Sequence, residues 1–231
     1  MTFKSSISRI KLTLMSLFIT AAAIHSCSSG SRKASGAIDE TTPQDTVLTV
    51  KGAVEMAQQL GMGWNLGNQM DAQKDGVASE TAWGNPVVTQ ALFDKLANAG
   101  IKTVRIPVTW LGHIGDAPGY TINKAWLDRV EQLVGYAEKA GLNAIINIHH
   151  DGADSRHWLD IKGAAENPEI NAAVTAQIKA MWAQIASRFK DKGQFLIFES
   201  FNEIHDGGWG WGANRTDGGK QYRTLNEWNQ A

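Results

Sequence analysis

The stretch NAIINIHHDG, residues 143–152, is apolar at first and then abruptly polar. A run this short, followed at once by His, Asp and Gly, reads as a strand buried on both faces whose polar residues gather where it stops. The same unit recurs outward from it. Upstream, KTVRIPVTW (102–110) is a β-branched run whose proline cannot donate to a ladder, so the strand should end there. Further upstream lies GMGWNLGN (61–68), and downstream QFLIFESFNE (194–203). Helical patterns separate the strands. TQALFDKLANAG sets Leu92 and Leu96 on one face and stops at Gly100; residues 124–141 carry the stripe Trp126, Val130, Leu133, Val134 and Ala137 and stop at Gly141. A third helix, about 169–190, carries Val174, Ile178, Met181, Trp182, Ile185 and Phe189; LNEWNQA opens a fourth, and Val50, Val54, Ala57 and Leu60 mark a short helix ahead of the first strand.

Strands beginning near residues 61, 102, 143 and 195 and alternating with helices define an α/β protein with a parallel sheet. Two architectures fit, a doubly wound open sheet and a (β/α)8 TIM barrel. GMGWNLG lacks the G-x-G-x-x-G spacing of a dinucleotide-binding turn, so it does not select the open sheet.

The 231 residues include 22 Lys and Arg against 23 Asp and Glu, a balance that offers no electrostatic case for a nucleic-acid partner. Nine Trp stand against three Tyr. Residues 1–27 read as a signal peptide: Lys4, Arg9 and Lys11 precede an apolar stretch, Leu12 to Ile24, that is too short for a membrane span. Cys27, the single cysteine, ends a segment Ile24-His25-Ser26-Cys27 that resembles a bacterial lipoprotein cleavage box, whose Cys carries the lipid anchor. Residues 28–46 are small and polar and read as a flexible linker. Together these predict an exported cell-envelope lipoprotein, on the outer membrane or cell surface, or a secreted protein.

The polar residues that stand out fall at the strands' C-terminal ends: Asn65 and Asn68, then Arg105, then His149, His150 and Asp151, then Asn202 and Glu203. Each alone has an ordinary explanation as a surface charge, core histidine or helix cap. Four such groups on one rim favour a site, because catalytic residues of parallel α/β folds gather there. Glu203 follows an apolar run and precedes the loop His205-Asp206-Gly207-Gly208-Trp209. Asn226-Glu227 repeats the dipeptide inside a helical pattern, where Glu227 reads as a solvated residue. If the strand runs on to Glu203, Glu199 shares its face and lies roughly 13 Å deeper. Glu199 then reads as a structural carboxylate in need of a partner such as Arg105.

GWNLGN (63–68), TAWGNP (81–86), VRIPVTW (104–110), INIHHDG (146–152) and LIFESFNE (196–203) together resemble glycoside hydrolase family 5, in particular its secreted bacterial endoglucanases. The resemblance implies a TIM barrel, no cofactor and no metal, and hydrolysis of a β-linked polysaccharide, a cellulose-like glucan, by a retaining double displacement. It implies Glu203 as acid/base, Asn202 as the residue bonding the sugar 2-hydroxyl, and Arg105 with His149 as the pair supporting the nucleophile. His150, Asn65, Asn68, Trp83 and Asn85 match sugar-contacting positions. Ile204 stands where the common family pattern has proline. Trp209 and Trp211, in the Gly-rich loop, are expected to offer flat platforms to sugar rings, whereas Trp126 and Trp182 read as core. Retention requires an acid and an ionised carboxylate about 5–5.5 Å apart.

Residues 47–231 are therefore expected to form the N-terminal half of the catalytic domain, about four of eight strand–helix units, without the family's nucleophile glutamate. Such a half is expected to be inactive alone; the complete enzyme is expected to be a monomer. Within the family, mannan, xylan or xyloglucan are alternative substrates, and a non-catalytic glycan-binding lipoprotein is an alternative of another class. A metal-dependent hydrolase would draw on His149, His150, Asp151, Asp154 and His157, but adjacent histidines on a strand should point to opposite faces.

Overall fold

The computed structural model describes residues 52–152, 158–204 and 218–231. The chain divides into Met1–Val47 and Leu48–Ala231, and the described residues lie in the second unit. Cys27, Asp154, His157, Trp209 and Trp211 fall outside the described residues.

Four strands, β1 (Gly63–Asn65), β4 (Thr103–Ile106), β5 (Asn143–Asn147) and β6 (Leu196–Glu199), form one parallel sheet in sequential order. A short antiparallel hairpin, β2 (Gln73–Lys74) with β3 (Val77–Ala78), interrupts the first crossover. The helices are α1 (Ala53–Leu60), α2 (Gln90–Asn98), α3 (Lys124–Lys139), α4 (Ile161–Glu166), α5 (Pro168–Phe189) and α6 (Gly218–Gln230). No described helix is long and apolar enough to cross a membrane. The α/β reading and the sequential parallel order expected of a barrel's first four units both hold.

The register assigns the sheet's two faces. Val104, Ile106, Ala144, Ile146 and Leu196 are buried in the core beneath the helices, where α3 contributes the expected stripe, Trp126 to Ala137. Asn65 lies level with Arg105, and Asn147 level with Glu199; these residues share the opposite face, since side chains alternate along a strand. The charged and amide side chains thus share one face, beside Ile145 and Ile197, and the buried apolar residues the other.

Helix α3 begins where the Asn123 side chain accepts the Trp126 N–H and ends before Gly141 at φ 71°, a left-handed position that favours glycine. Helix α5 begins with Pro168 in its first turn, after Asn167 caps it. Asn167 also ends α4, a one-and-a-half-turn helix whose pattern is too short to separate from a loop by periodicity.

The short helix expected ahead of β1 is present as α1, with no residue buried and Val54 74% exposed. Three expectations require correction. Strand β6 stops at Glu199 instead of reaching Glu203, so the strand-based depth of Glu199 does not apply. Helix α6 is under way at Gly218, because its polar first turns carry no periodic signal. Trp182 is only half-buried and meets Phe198 edge-on at 5.8 Å beside a groove of about 530 Å³.

Candidate active site

Pro107, which has no N–H to donate, follows the last residue of β4. Beyond it the connection is made by a side chain: Asn147 Oδ1 accepts the Val108 N–H at 3.0 Å, while the His149 N–H donates to Val108 O at 2.9 Å. Asn147 is 1% exposed, and its own carbonyl accepts Trp110 Nε1–H at 3.0 Å. The rim of the sheet is therefore locked where the chain turns polar.

Arg105 is the centre of that rim. Its Nε and Nη2 donate to the two carboxylate oxygens of Glu199 at 2.7 and 2.5 Å, a bidentate pairing across β5. Nη1 donates to Asn65 Oδ1 and Nη2 also to Asn202 Oδ1, both at 3.0 Å. Burial raises the Glu199 carboxyl, but the Arg105 and Asn147 hydrogen bonds outweigh it and hold the group below the usual carboxylate value. Its hydrogen bonds to Glu199 conversely raise Arg105, with the carboxylates of Asp71 and Glu203 adding to the field.

Although β6 has ended, the Asn202 N–H donates to Ile148 O at 2.8 Å, so the chain stays pinned to the end of β5. This presents the Asn202 amide to Arg105 and leaves the next residue, Glu203, exposed at the rim; Ile204 beneath it is buried at 4%. Glu227, by contrast, lies exposed on α6 and accepts from Asn171 Nδ2 at 3.0 Å.

His149 and His150 lie beyond β5, and the parity rule for a strand does not govern them. Their rings meet edge to face at 4.4 Å, and both Nε2 atoms approach one oxygen, Asp71 Oδ2, at 3.9 and 3.7 Å. The expectation of opposite faces is thus overturned. Asp71, His149 and His150 place three ligand-type atoms within 4.8 Å of one another. The trio is nonetheless held by hydrogen bonds of its own, from Gln69 N–H to Asp71 Oδ1 at 2.8 Å and between Asn147 Nδ2 and His149 Nδ1 at 3.1 Å. Asp151, counted in the metal reading, is wholly buried and takes the Trp110 N–H and the Trp158 Nε1–H. Burial pushes its carboxyl up to about 7, against those donors.

The loop between β3 and α2 adds the last contributors. Trp83 is 46% exposed, donates its Nε1–H to Gln73 O at 2.9 Å and stands 5.6 Å from the His150 ring. Asn85 Nδ2 donates to Asn68 O at 2.8 Å, with Asn68 itself at φ 62°. Arg129 secures this loop by donating to both Glu80 oxygens and to Val88 O. The structure thus brings Asn65, Arg105, Asn202 and Glu203 together, and sets His149, His150 and Trp83 alongside. Asn68 and Asn85 support the loop. Sequence reasoning missed Asn147 and Asp71. In sequence Asn147 is one residue of a strand among others, and nothing local distinguishes Asp71, far from His149 in the chain.

A rim of amides, imidazoles, one exposed carboxyl and an accessible indole thus lies at the edge of a parallel α/β sheet where the functional residues of such folds gather. The chain belongs to the cellulase family, glycosyl hydrolase family 5, whose model matches residues 68–231. It is 41% identical over 180 residues to endoglucanase A of Paenibacillus barcinonensis, covering 77% of this chain and 42% of that protein. Among solved structures, a broad specificity endoglucanase from Bacteroides salanitronis is 70% identical, with TM-score 0.72, over 74% of this chain and 45% of that one. Another, from Ruminococcus champanellensis with bound cellotriose, is 35% identical, with TM-score 0.68, over 77% and 51%. The chain spans about half the length of these proteins.

His149 supplies a pH test. Burial, His150 and Arg105 depress its pKa from 6.5 to about 4, against the opposing pull of Asp71 and Glu199. A depressed histidine is neutral in the fold, so protons bind the unfolded chain first. Its contribution is complete above pH 6.5 and is lost as pH falls toward 4. The thermal midpoint should fall across that window, and fall less in His149→Gln; equal slopes would contradict the assignment.

Proposed function

We propose that the polypeptide containing this chain is an endo-β-1,4-glucanase acting by retaining double displacement, with Glu203 as acid/base. The observation that carries this reading is Asn202-Glu203 beyond the end of β6, where Arg105 holds the Asn202 amide and Glu203 stays open to solvent. Asn202 is then placed to bond a sugar hydroxyl beside the scissile bond. His149 and Arg105 support the second carboxylate, which is expected from the part of the fold that the relatives carry beyond the match. Glu199 is not a substitute, because Arg105 occupies both of its oxygens. His150, Asn65 and Trp83 border the sugar, with Asn68 and Asn85 shaping the loop under Trp83; Trp209 and Trp211 are proposed as platforms. The active enzyme works as a monomer.

General acid catalysis contributes about 10²–10⁴-fold. Glu203→Gln, made in a polypeptide of the relatives' length, should lower turnover of a soluble cellulose derivative by about that factor and keep glucan binding. Turnover equal to the parent's would refute the assignment.

We further propose that residues 1–27 direct export and that Cys27 is lipidated, with 28–46 as a tether to the envelope. The sequence Leu12 to Cys27 motivates this. Cells fed a labelled fatty acid should label the parent and not Cys27→Ser; label in both would contradict it.

A further inference from the structure

Asn147 sits between the two groups on which the rim depends, and its side-chain orientation can be deduced from its neighbours. An amide presents one acceptor and two N–H donors. Oδ1 receives the Val108 N–H at 3.0 Å, a group that can only donate. Nδ2 faces Glu199 Oε1 at 3.1 Å, and that carboxylate, ionised against Arg105, can only accept. Both constraints give one answer, and turning the amide over would break both. The remaining Nδ2 hydrogen points at His149 Nδ1, 3.1 Å away.

We propose that Asn147 is a positioning residue that fixes His149 as the neutral tautomer carrying its hydrogen on Nε2. Nδ1 must accept from Asn147, so the ring hydrogen has no place except Nε2. Protonating Nδ1 would set two N–H groups against each other at 3.1 Å. The charged groups facing the ring are Asp71, Glu199, Arg105 and the neighbouring His150. With the side chain of His149 10% exposed, solvent gives little relief. The Nε2–H, 3.9 Å from Asp71 Oδ2, is then offered to the rim as an uncharged donor.

Past Pro107 the Val108 N–H still faces β5, and Asn147 takes it with Oδ1, the atom that fixes its own flip, while the Asn147 carbonyl accepts the Trp110 Nε1–H. One residue thus mends the sheet, orients Glu199 and selects the His149 tautomer. That this donor meets a sugar or the attacking carboxylate rests on the glucanase reading; the tautomer does not.

The test is nuclear magnetic resonance of the full chain labelled with ¹⁵N-histidine, with His149→Gln assigning the signals. Long-range ¹H–¹⁵N correlations should show His149 Nδ1 bare and Nε2 protonated across the range where a free histidine titrates, about pH 5.5 to 7.5. A protonated Nδ1, or shifts averaging between tautomers, would overturn the proposal. In Asn147→Asp the new carboxylate accepts, so Nδ1 should gain a hydrogen; a folded variant that keeps Nδ1 bare would also overturn it. If that variant does not fold, the parent spectrum decides alone. A protein without glucanase activity but with Nδ1 bare would refute the catalytic reading and leave this one standing.

Discussion

The site depends on the bidentate contact between Arg105 and Glu199, which crosses β5 and fixes β4 to β6 on the sheet's polar face. Both side chains keep some exposure, 26% and 29%. Their contribution should therefore lie between the 0–1 kcal/mol typical of exposed pairs and the roughly 3–5 kcal/mol cost of breaking a buried one. Its structural reach is larger than that figure suggests. With Glu199 ionised, Asn147 can turn only one way; with Arg105 so placed, its remaining hydrogens reach Asn65 and Asn202. Glu203 follows Asn202 by one residue and inherits its position.

This arrangement separates two jobs that a line of sequence shows side by side. Glu199 and Glu203 stand four residues apart in the chain, yet one is held by a guanidinium and the other faces solvent. An arginine engaged through Nε, Nη1 and Nη2 also makes a rigid wall, so a ligand entering the rim would meet groups already in place.

Much of this was legible from residue patterns. The stripe of α3 and the glycine that ends it were read correctly, because an amphipathic helix of that length has a strong period. The break after Ile106 followed from Pro107. The pairing of Glu199 with Arg105 followed from the cost of a lone carboxylate beneath the rim. What escaped notice depends on tertiary context. Asn147 looks like any strand residue until the fold sets its side chain against the Val108 N–H, Glu199 and His149. Asp71 meets the histidines only through the fold, and the histidines share a side because β5 ends two residues before the first of them. The β2–β3 hairpin and α4 are too short to carry a period.

The direct test is a crystal structure of Glu203→Gln, at the length of its relatives, with cellotriose. A glucose ring should lie within hydrogen-bond distance of Asn202 and His149, close to Trp83, with Arg105 still bidentate on Glu199. Cellotriose bound away from this rim, or Arg105 released from Glu199 to hold the sugar, would contradict it.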